Sequence, residues 1–275
     1  MPSADVRVDL AVPPELDPTP EGRLALVNNA ELYYEIHGQG DSDLVLLHGF
    51  FGSGAIWRPW LHLLTQRHRV VLPDLRGHGR SSNPSGLFTH RQAARDILAL
   101  CEGLGVRRFC GIGASTGGMT LLHAALQAPE AIEAMVLIYA TSHFPESARR
   151  IMAHHDPAKL TTAESAQETA QRRTLHRRSD NQVRALWEQF YAFRLDTEDM
   201  ALTEADLARI RARTLVVHGD RDAFFPVEIP VALYQGIPWA YLWILPGWGH
   251  GPLETHAEEI PTLGQRFLCG AWEGA

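Results

Sequence analysis

The sequence predicts an α/β protein: a mostly parallel sheet with helices on both faces. Three observations lead there. Short apolar runs alternate with amphipathic runs along most of the chain, the pattern of a sheet wound with crossover helices. Runs such as "DLVLLHG" (43–49) and "HRVVLPDL" show little polar alternation, as strands covered on both faces require. The chain has 275 residues, 45% hydrophobic and 21% charged, enough to build a core without disulfide or metal support.

The elements follow in order. "RLALVN" and "AELYYEIHG" alternate and read as paired strands, and "DLVLLHG" follows as a buried one. "AIWRPWLHLLTQ" has helical spacing, with Trp57, Trp60, Leu61 and Leu64 on one face. After the strand "HRVVLPDL", "THRQAARDILALCEGLG" is a helix with Thr89 as N-cap, closing near Gly103–Gly105. "RRFCGIGAS" is a strand, "TGGMTLLHAALQAP" a helix that stops before Pro129, and "IEAMVLIYAT" a strand. "ARTLVVHGDRD" and "AYLWILPG" are strands with a helical segment between them. "AEEIPTLGQRFLCGAW" closes the chain as a helix with Pro261 in its first turn.

Two segments break the rhythm. Residues 1–22, rich in proline and acids, read as an extended leader without a signal-peptide pattern. Residues 142–208 offer no buried strand. There "SARRIMAHH", "ESAQETAQRRTLHRR" and "NQVRALWEQFYAFRL" look helical, with Trp187, Phe190, Tyr191 and Leu195 as an inward face. The expected organisation is a core of 23–141 plus 209–275, interrupted by a helical insertion at 142–208.

Composition excludes several functions. A net charge of −7 argues against nucleic-acid binding, which needs a basic footprint. No window approaches the roughly 18–20 apolar residues of a membrane span, so a soluble cytoplasmic protein, monomer or homodimer, is expected. Cys101, Cys110 and Cys269 form no C-x-x-C pair and read as buried free thiols. His154-His155-Asp156 could be drawn as a metal cluster, but adjacent histidines point apart on a helix, so no metal site is expected; no cofactor is expected either.

The chemistry is concentrated at "GIGASTGGMT" (111–120). Ser115 lies between a strand and a helix, in the pattern Gly113-Ala114-Ser115-Thr116-Gly117. A sharp strand-to-helix turn strains the serine backbone and needs small neighbours two residues away. It lifts the hydroxyl out at the carboxyl edge of the sheet, beside the free N–H groups of a helix start. A phosphate loop fits poorly, because no G-K-[ST] lysine follows.

A serine nucleophile needs a base, and the base an orienter. After the nucleophile come an acid and then a histidine. His250, in "LPGWGHGPLE", is favoured over His256, read as a surface residue of the next helix. Asp222, in "VVHGDRDAFFP", is favoured over Asp220, which holds its own turn, and over Glu146, which lies in the insertion. The N–H groups of Thr116 and of Phe50, in "HGFFGS", are expected to form the oxyanion hole. His48 and Gly49 shape that loop.

Together, "LLHGFFGS", "PDLRGHGRS", "GASTG", "HGDRD" and "GWGHGP" resemble the α/β-hydrolase superfamily, over residues from about 23 to 272. The resemblance implies eight strands, mostly parallel, and a helical cap between strands six and seven. It implies Ser115 as nucleophile, His250 as general base, Asp222 as its partner, and the backbone of Phe50 and Thr116 as oxyanion hole. Asp74, Arg76, Gly77 and His78 would brace the loops around the site. Serine at the nucleophile position argues against related dehalogenases and epoxide hydrolases, which carry aspartate there. Carbon–carbon bond hydrolases often carry Asn where this chain has Ala114, but Gly117-Gly118 matches them. The HGGG loop of some lipases is replaced by His48-Gly49-Phe50-Phe51, which argues against bulky tertiary-alcohol esters.

Phe51, Phe224, Phe225 and Trp248 flank the catalytic loops, and Phe144, Trp187 and Phe190 from the insertion roof the same space. An apolar pocket of this kind suits a small-molecule ester. "QRRTLHRR" (171–178) reads as a solvated helix face rather than an anion site. The expected activity is a carboxylic ester hydrolase working through an acyl-enzyme on small to medium apolar esters. The alternatives are a C–C bond hydrolase, lactonase, perhydrolase or acyltransferase on the same triad, or a ligand receptor with little turnover.

Overall fold

The computed structural model describes residues 22–159, 170, 172–251, 253–256 and 258–270. Residues 1–21 of the expected leader lie outside them, as do residues 164–169 and 171 of the helix expected over 164–178. Eight strands form one sheet: β1 (Arg23–Val27), β2 (Ala30–His37), β3 (Ser42–Leu47), β4 (His68–Pro73), β5 (Phe109–Ala114), β6 (Ile132–Ile138), β7 (Arg213–Gly219) and β8 (Ala240–Leu245). Their spatial order is β1-β2-β4-β3-β5-β6-β7-β8. The β1–β2 and β2–β4 pairs are antiparallel, and every other pair is parallel.

Alternation along the central strands sorts their side chains onto two faces. Val45, Leu47, Met135, Leu137 and Val216 join one buried cluster. Leu44, Leu46, Ala134, Val136, Ile138, Leu215 and Val217 join the other. Helices α2 (His90–Gly103), α3 (Thr116–Gln127) and α7 (Glu228–Gly236) cover the first face, with Ile97, Leu121 and Leu233 in its cluster. The segment 54–64 and α8 (Glu259–Leu268) cover the second, through Trp57, Trp60, Leu64, Ile260 and Phe267. No helix among the described residues is long and apolar enough to cross a membrane.

Thr89 caps α2 as its spacing predicts, accepting a hydrogen bond from Gln92 N–H at 3.0 Å. A second cap comes from far along the chain. Asp199 accepts from the N–H groups of His90 (2.6 Å) and Arg91 (3.0 Å), and from the His90 imidazole at 2.7 Å. A carboxylate suits the positive end of a helix.

Between β6 and β7 lie α4 (Glu146–His154), α5 (Asp180–Ala192) and the short α6 (Glu204–Leu207). The Arg149 guanidinium ties α4 to the far end of α5 through the carbonyls of Phe144 (3.0 Å) and Arg194 (2.7 Å). Gln182, on α5, donates to the carbonyls of Gly77 (3.0 Å) and Gly79 (3.1 Å). Arg178 donates to the Arg80 carbonyl at 2.7 Å and pairs with Glu31.

Four expectations are corrected. The segment 54–64 is a 3-10 run (Gly54–Trp60) before a single α turn, α1 (Leu61–Leu64). Pro59 lacks an N–H and blocks the α pattern, and Leu61 is only partly buried. Leu195 does not face inward: it is 69% exposed, because the chain leaves α5 in a 3-10 turn at Phe193–Leu195, and Phe193 takes the buried position. Cys269 is exposed, while Cys101 and Cys110 are buried. Residues 172–178 do not form a solvated helix face: beyond Arg172 the chain turns, and Arg172 and His176 are buried. His154 and His155 each bond the carbonyl four residues back.

Candidate active site

Ser115 stands between the end of β5 and the start of α3 with φ 49° and ψ −115°, outside the regions that L-residues favour. The turn closes tightly because glycine leaves room. A Cβ on Gly117 would lie 2.1 Å from the Leu47 carbonyl oxygen, and one on Gly113 2.5 Å from the Gly117 backbone. Strand and helix grip the serine: its N–H donates to the Ile138 carbonyl at 2.7 Å, and its C=O accepts from Met119 N–H at 2.9 Å.

The hydroxyl meets an imidazole from near the end of the chain. His250 Nε2 is 3.2 Å from Ser115 Oγ, and His250 Nδ1 is 2.7 Å from Asp222 Oδ2. A carboxylate on Nδ1 holds the proton there, leaving the Nε2 lone pair for the serine O–H. The other Asp222 oxygen accepts from the N–H groups of Phe224 (2.8 Å) and Phe225 (2.9 Å). Burial pushes the Asp222 carboxyl up, but His250, the Phe225 N–H and His218 outweigh it and leave it below its ordinary value. The Asp222 side chain is fully enclosed, whereas that of His250 keeps 12% exposure. The ring meets solvent at its edge while the acid does not. Such a chain can remove the serine proton and stabilise the imidazolium that forms.

Asp220 accepts from Gly247 N–H at 2.6 Å, so it joins its turn to the loop that carries His250. His256 is half-buried, its ring edge-on to Trp248 at 4.9 Å, rather than a surface residue. Thr116 opens α3, where the N–H has no intrahelical acceptor. Phe50 lies inside the four-residue turn closed by Gly52 N–H to Gly49 C=O at 3.0 Å. Gly49 flanks the serine, since a Cβ on it would be 3.5 Å from Ser115 Cβ. His48 accepts from Leu75 N–H at Nε2 and bonds the Gly49 carbonyl through Nδ1. Burial pushes its pKa down to about 4, so it stays neutral.

Of the bracing residues, Asp74, Arg76 and His78 are buried and Gly77 is partly exposed. Asp74 accepts from the N–H groups of Gly54 and Arg80, each at 2.8 Å. Arg76 grips Asp96 through two nitrogens, at 2.7 and 3.0 Å. Gly77 has φ +77°, and His78 packs edge-on to Phe50 at 4.7 Å.

The aromatic residues fall into four places. Phe224 stacks on His250 at 5.0 Å, and Phe225 meets it edge-on at 5.1 Å. Phe190 joins Phe224 (6.1 Å) to Phe50 (5.9 Å) and Phe51 (5.2 Å), and Trp187 lies 4.3 Å from Phe51. Phe144 sits aside, against Phe193 and His90. Trp248 belongs to the core under the opposite sheet face, with Tyr139 at 4.5 Å.

Sequence reasoning missed two neighbours of the triad. His218 donates from Nε2 to the Phe225 carbonyl at 2.8 Å and lies 3.4 Å from Asp222 Oδ2. Tyr139, with φ 45°, packs its ring 5.0 Å from that of His250. The available signal was position: each sits at or just past the carboxyl end of a central strand, as Ser115 does.

Known proteins resemble this chain in sequence and in fold. A family model described as the alpha/beta hydrolase fold matches residues 44–175. A relative from Caulobacter sp. (strain K31), named "Putative carbamate hydrolase RutD", is 30% identical over 257 residues, 87% of this chain and 96% of the relative. The chain belongs to the α/β-hydrolase superfamily. The 2-hydroxymuconate semialdehyde hydrolase of Pseudomonas putida is 27% identical, over 86% of this chain and 90% of its own. The crystal structure of the enol-lactonase from Burkholderia xenovorans LB400 superposes with a TM-score of 0.71 at 23% identity, covering 90% of this chain and 100% of that one. This α/β hydrolase therefore shares its fold with the lactonase and its family with hydrolases of different substrates.

Proposed function

We propose that this hydrolase cleaves small to medium apolar carboxylic esters through an acyl-enzyme. The observation that carries the reading is the hydrogen-bonded chain Ser115 Oγ, His250 Nε2, His250 Nδ1, Asp222 Oδ2, at 3.2 and 2.7 Å. Ser115 Oγ attacks the ester carbonyl while His250 Nε2 takes its proton. The negative oxygen turns toward the N–H groups of Phe50 and Thr116. The C–O bond to the leaving alkoxide breaks, and His250 returns the proton to the alcohol. Water then repeats the sequence and frees the acid. Phe224, beside His250, and the Phe50–Phe51–Phe190–Trp187 group favour an apolar acyl or alcohol chain. The helical segment between β6 and β7 acts as the cap over that space.

p-Nitrophenyl acetate or butyrate tests the reading. A burst of one nitrophenolate per chain, followed by slower turnover, is expected, as is covalent labelling by a fluorophosphonate. Ser115→Ala abolishes both. Absence of burst and label in the native chain overturns the proposal.

The relationship to 2-hydroxymuconate semialdehyde hydrolase and the Gly117-Gly118 pair favour a second reading, hydrolysis of a C–C bond beside a carbonyl by the same three residues. Parallel turnover of esters, lactones and vinylogous diketones separates the two.

A further inference from the structure

One imidazole from the insertion reaches the loop that carries Phe50. His176 is buried, with 2% exposure. Its Nδ1 accepts the Gly79 N–H at 3.0 Å, so the ring proton is on Nε2, which donates to the Phe51 carbonyl at 3.0 Å. Burial pushes the His176 pKa down to about 3, and the ring keeps this neutral donor–acceptor form at ordinary pH.

The carbonyl it holds belongs to an unusual residue. Phe51 has φ +61°, in the left-handed region that bulky side chains avoid. Such a conformation persists only where the surroundings over-determine it. Here the insertion surrounds it. The Phe51 ring lies 4.3 Å from Trp187 and 5.2 Å from Phe190, with the Arg172 guanidinium 4.5 Å from its centroid.

The Phe51–Gly52 peptide is gripped at both ends. Its N–H, on Gly52, donates to Gly49 C=O at 3.0 Å and closes the turn. Its C=O accepts from His176. The Phe50 N–H belongs to the neighbouring Gly49–Phe50 peptide, whose C=O accepts from Gly52 N–H and from His48 Nδ1, so the Phe51–Gly52 peptide shares with His48 in setting the direction of that N–H.

We infer that His176 is a positioning residue: through the Phe51 carbonyl it aims the Phe50 N–H at the oxygen that becomes negative during the reaction. The inference rests on the proposed serine-hydrolase reading and adds that the insertion helps to build the catalytic centre as well as roof it. Without the His176 bond, the Phe51–Gly52 peptide can rotate, Phe51 can relax toward negative φ, and one of the two donors swings away. Loss of an oxyanion donor costs about 10²–10³ in rate, so a donor that is only misaimed costs about 10–100-fold.

The test compares the full-length native chain with His176→Ala and His176→Gln, each normalised to burst-titrated sites so that unfolded protein is not counted. For p-nitrophenyl butyrate, His176→Ala is expected to lower kcat about 10–100-fold with KM within about threefold, and to weaken binding of a trifluoromethyl ketone, which forms a tetrahedral adduct, by a similar factor. His176→Gln keeps an N–H donor and is expected to recover most of both losses. An unchanged kcat in His176→Ala overturns the inference. So does a loss in KM alone, or a kcat loss that leaves ketone binding intact or that His176→Gln does not relieve. The rate of fluorophosphonate labelling reads the same donor without turnover. If the native chain labels but does not hydrolyse esters, the ester reading fails while a 10–100-fold slower label in His176→Ala still upholds the role of His176. If the native chain does not label at all, both fail.

Discussion

In the turn from β5 into α3, the constraints on Ser115 are local or come from adjacent strands. Gly113 and Gly117 allow the close approach, Met119 holds the serine carbonyl, and Ile138 and Leu47 on neighbouring strands close the space. The insertion is built differently. Its attachments run from single side chains to distant backbone groups: Gln182 to Gly77 and Gly79, His176 to Gly79 and Phe51, Asp199 to the start of α2. The turn is therefore brittle, since a methyl group has nowhere to go. The insertion is held at separate points that can be released one at a time. Where the two meet, at the Phe50–Phe51 loop, the rigid part of the molecule borrows its final alignment from the releasable part.

The comparison breaks if the turn tolerates volume. Gly117→Ala is expected to cost about 3 kcal/mol or more, because its Cβ would meet backbone rather than a movable side-chain end. Urea denaturation measures this. A loss under about 1 kcal/mol would show that β3 and α3 can separate without harm, and that the turn is no more rigid than the insertion.

A smaller effect is expected where one attachment of the insertion is cut. Burial pushes the Asp199 carboxyl up, but the His90 imidazole and the N–H groups of Arg91 and His90 outweigh it and hold it at about 2 against an ordinary 3.8. Between those values the unfolded chain binds more protons than the folded one, so acidification favours unfolding. The stability this group supplies is present above about pH 4 and is lost as pH falls through about 2. At about 1.4 kcal/mol per pKa unit it amounts to roughly 2–3 kcal/mol. Asp199→Asn should lose about that much at pH 7 and flatten this part of the acid limb in denaturation curves taken from pH 5 to 2. An unaltered acid limb would mean that Asp199 does not fasten the insertion to α2.

The least effect belongs to Leu195, whose side chain projects into solvent. Leu195→Ser should change stability by less than about 0.5 kcal/mol, whereas an inward residue of that size would cost several times more. Thermal unfolding of the variant decides between them.

The same contrast explains what could be read in the chain. The strands, the α2 cap at Thr89 and the Ser115 turn are written in neighbouring residues, where apolar runs and glycine spacing carry the signal. The order Ser115, Asp222, His250 was legible because each follows a strand at the carboxyl edge, and the structure joins them by hydrogen bonds. His176 and Asp199 were not legible as anchors. Their partners, mostly backbone groups, lie about a hundred positions away and leave no local pattern, and a histidine in "QRRTLHRR" looks like any other on a charged surface. Leu195 was misassigned because helical periodicity was extended past Ala192, where the chain tightens and turns the next side chains away.

The three cysteines have a practical consequence. Burial pushes the Cys101 thiol up to about 12 and that of Cys110 to about 11, so at neutral pH neither is available to a maleimide, while Cys269 lies in the open. It borders a depression with Ser42 and Arg213, which begin β3 and β7, whereas Ser115 follows the last residue of β5. A six-residue strand spans about 20 Å, so a tether at this thiol would graft the protein to a solid support by its underside and leave the Ser115 end of the sheet facing the liquid.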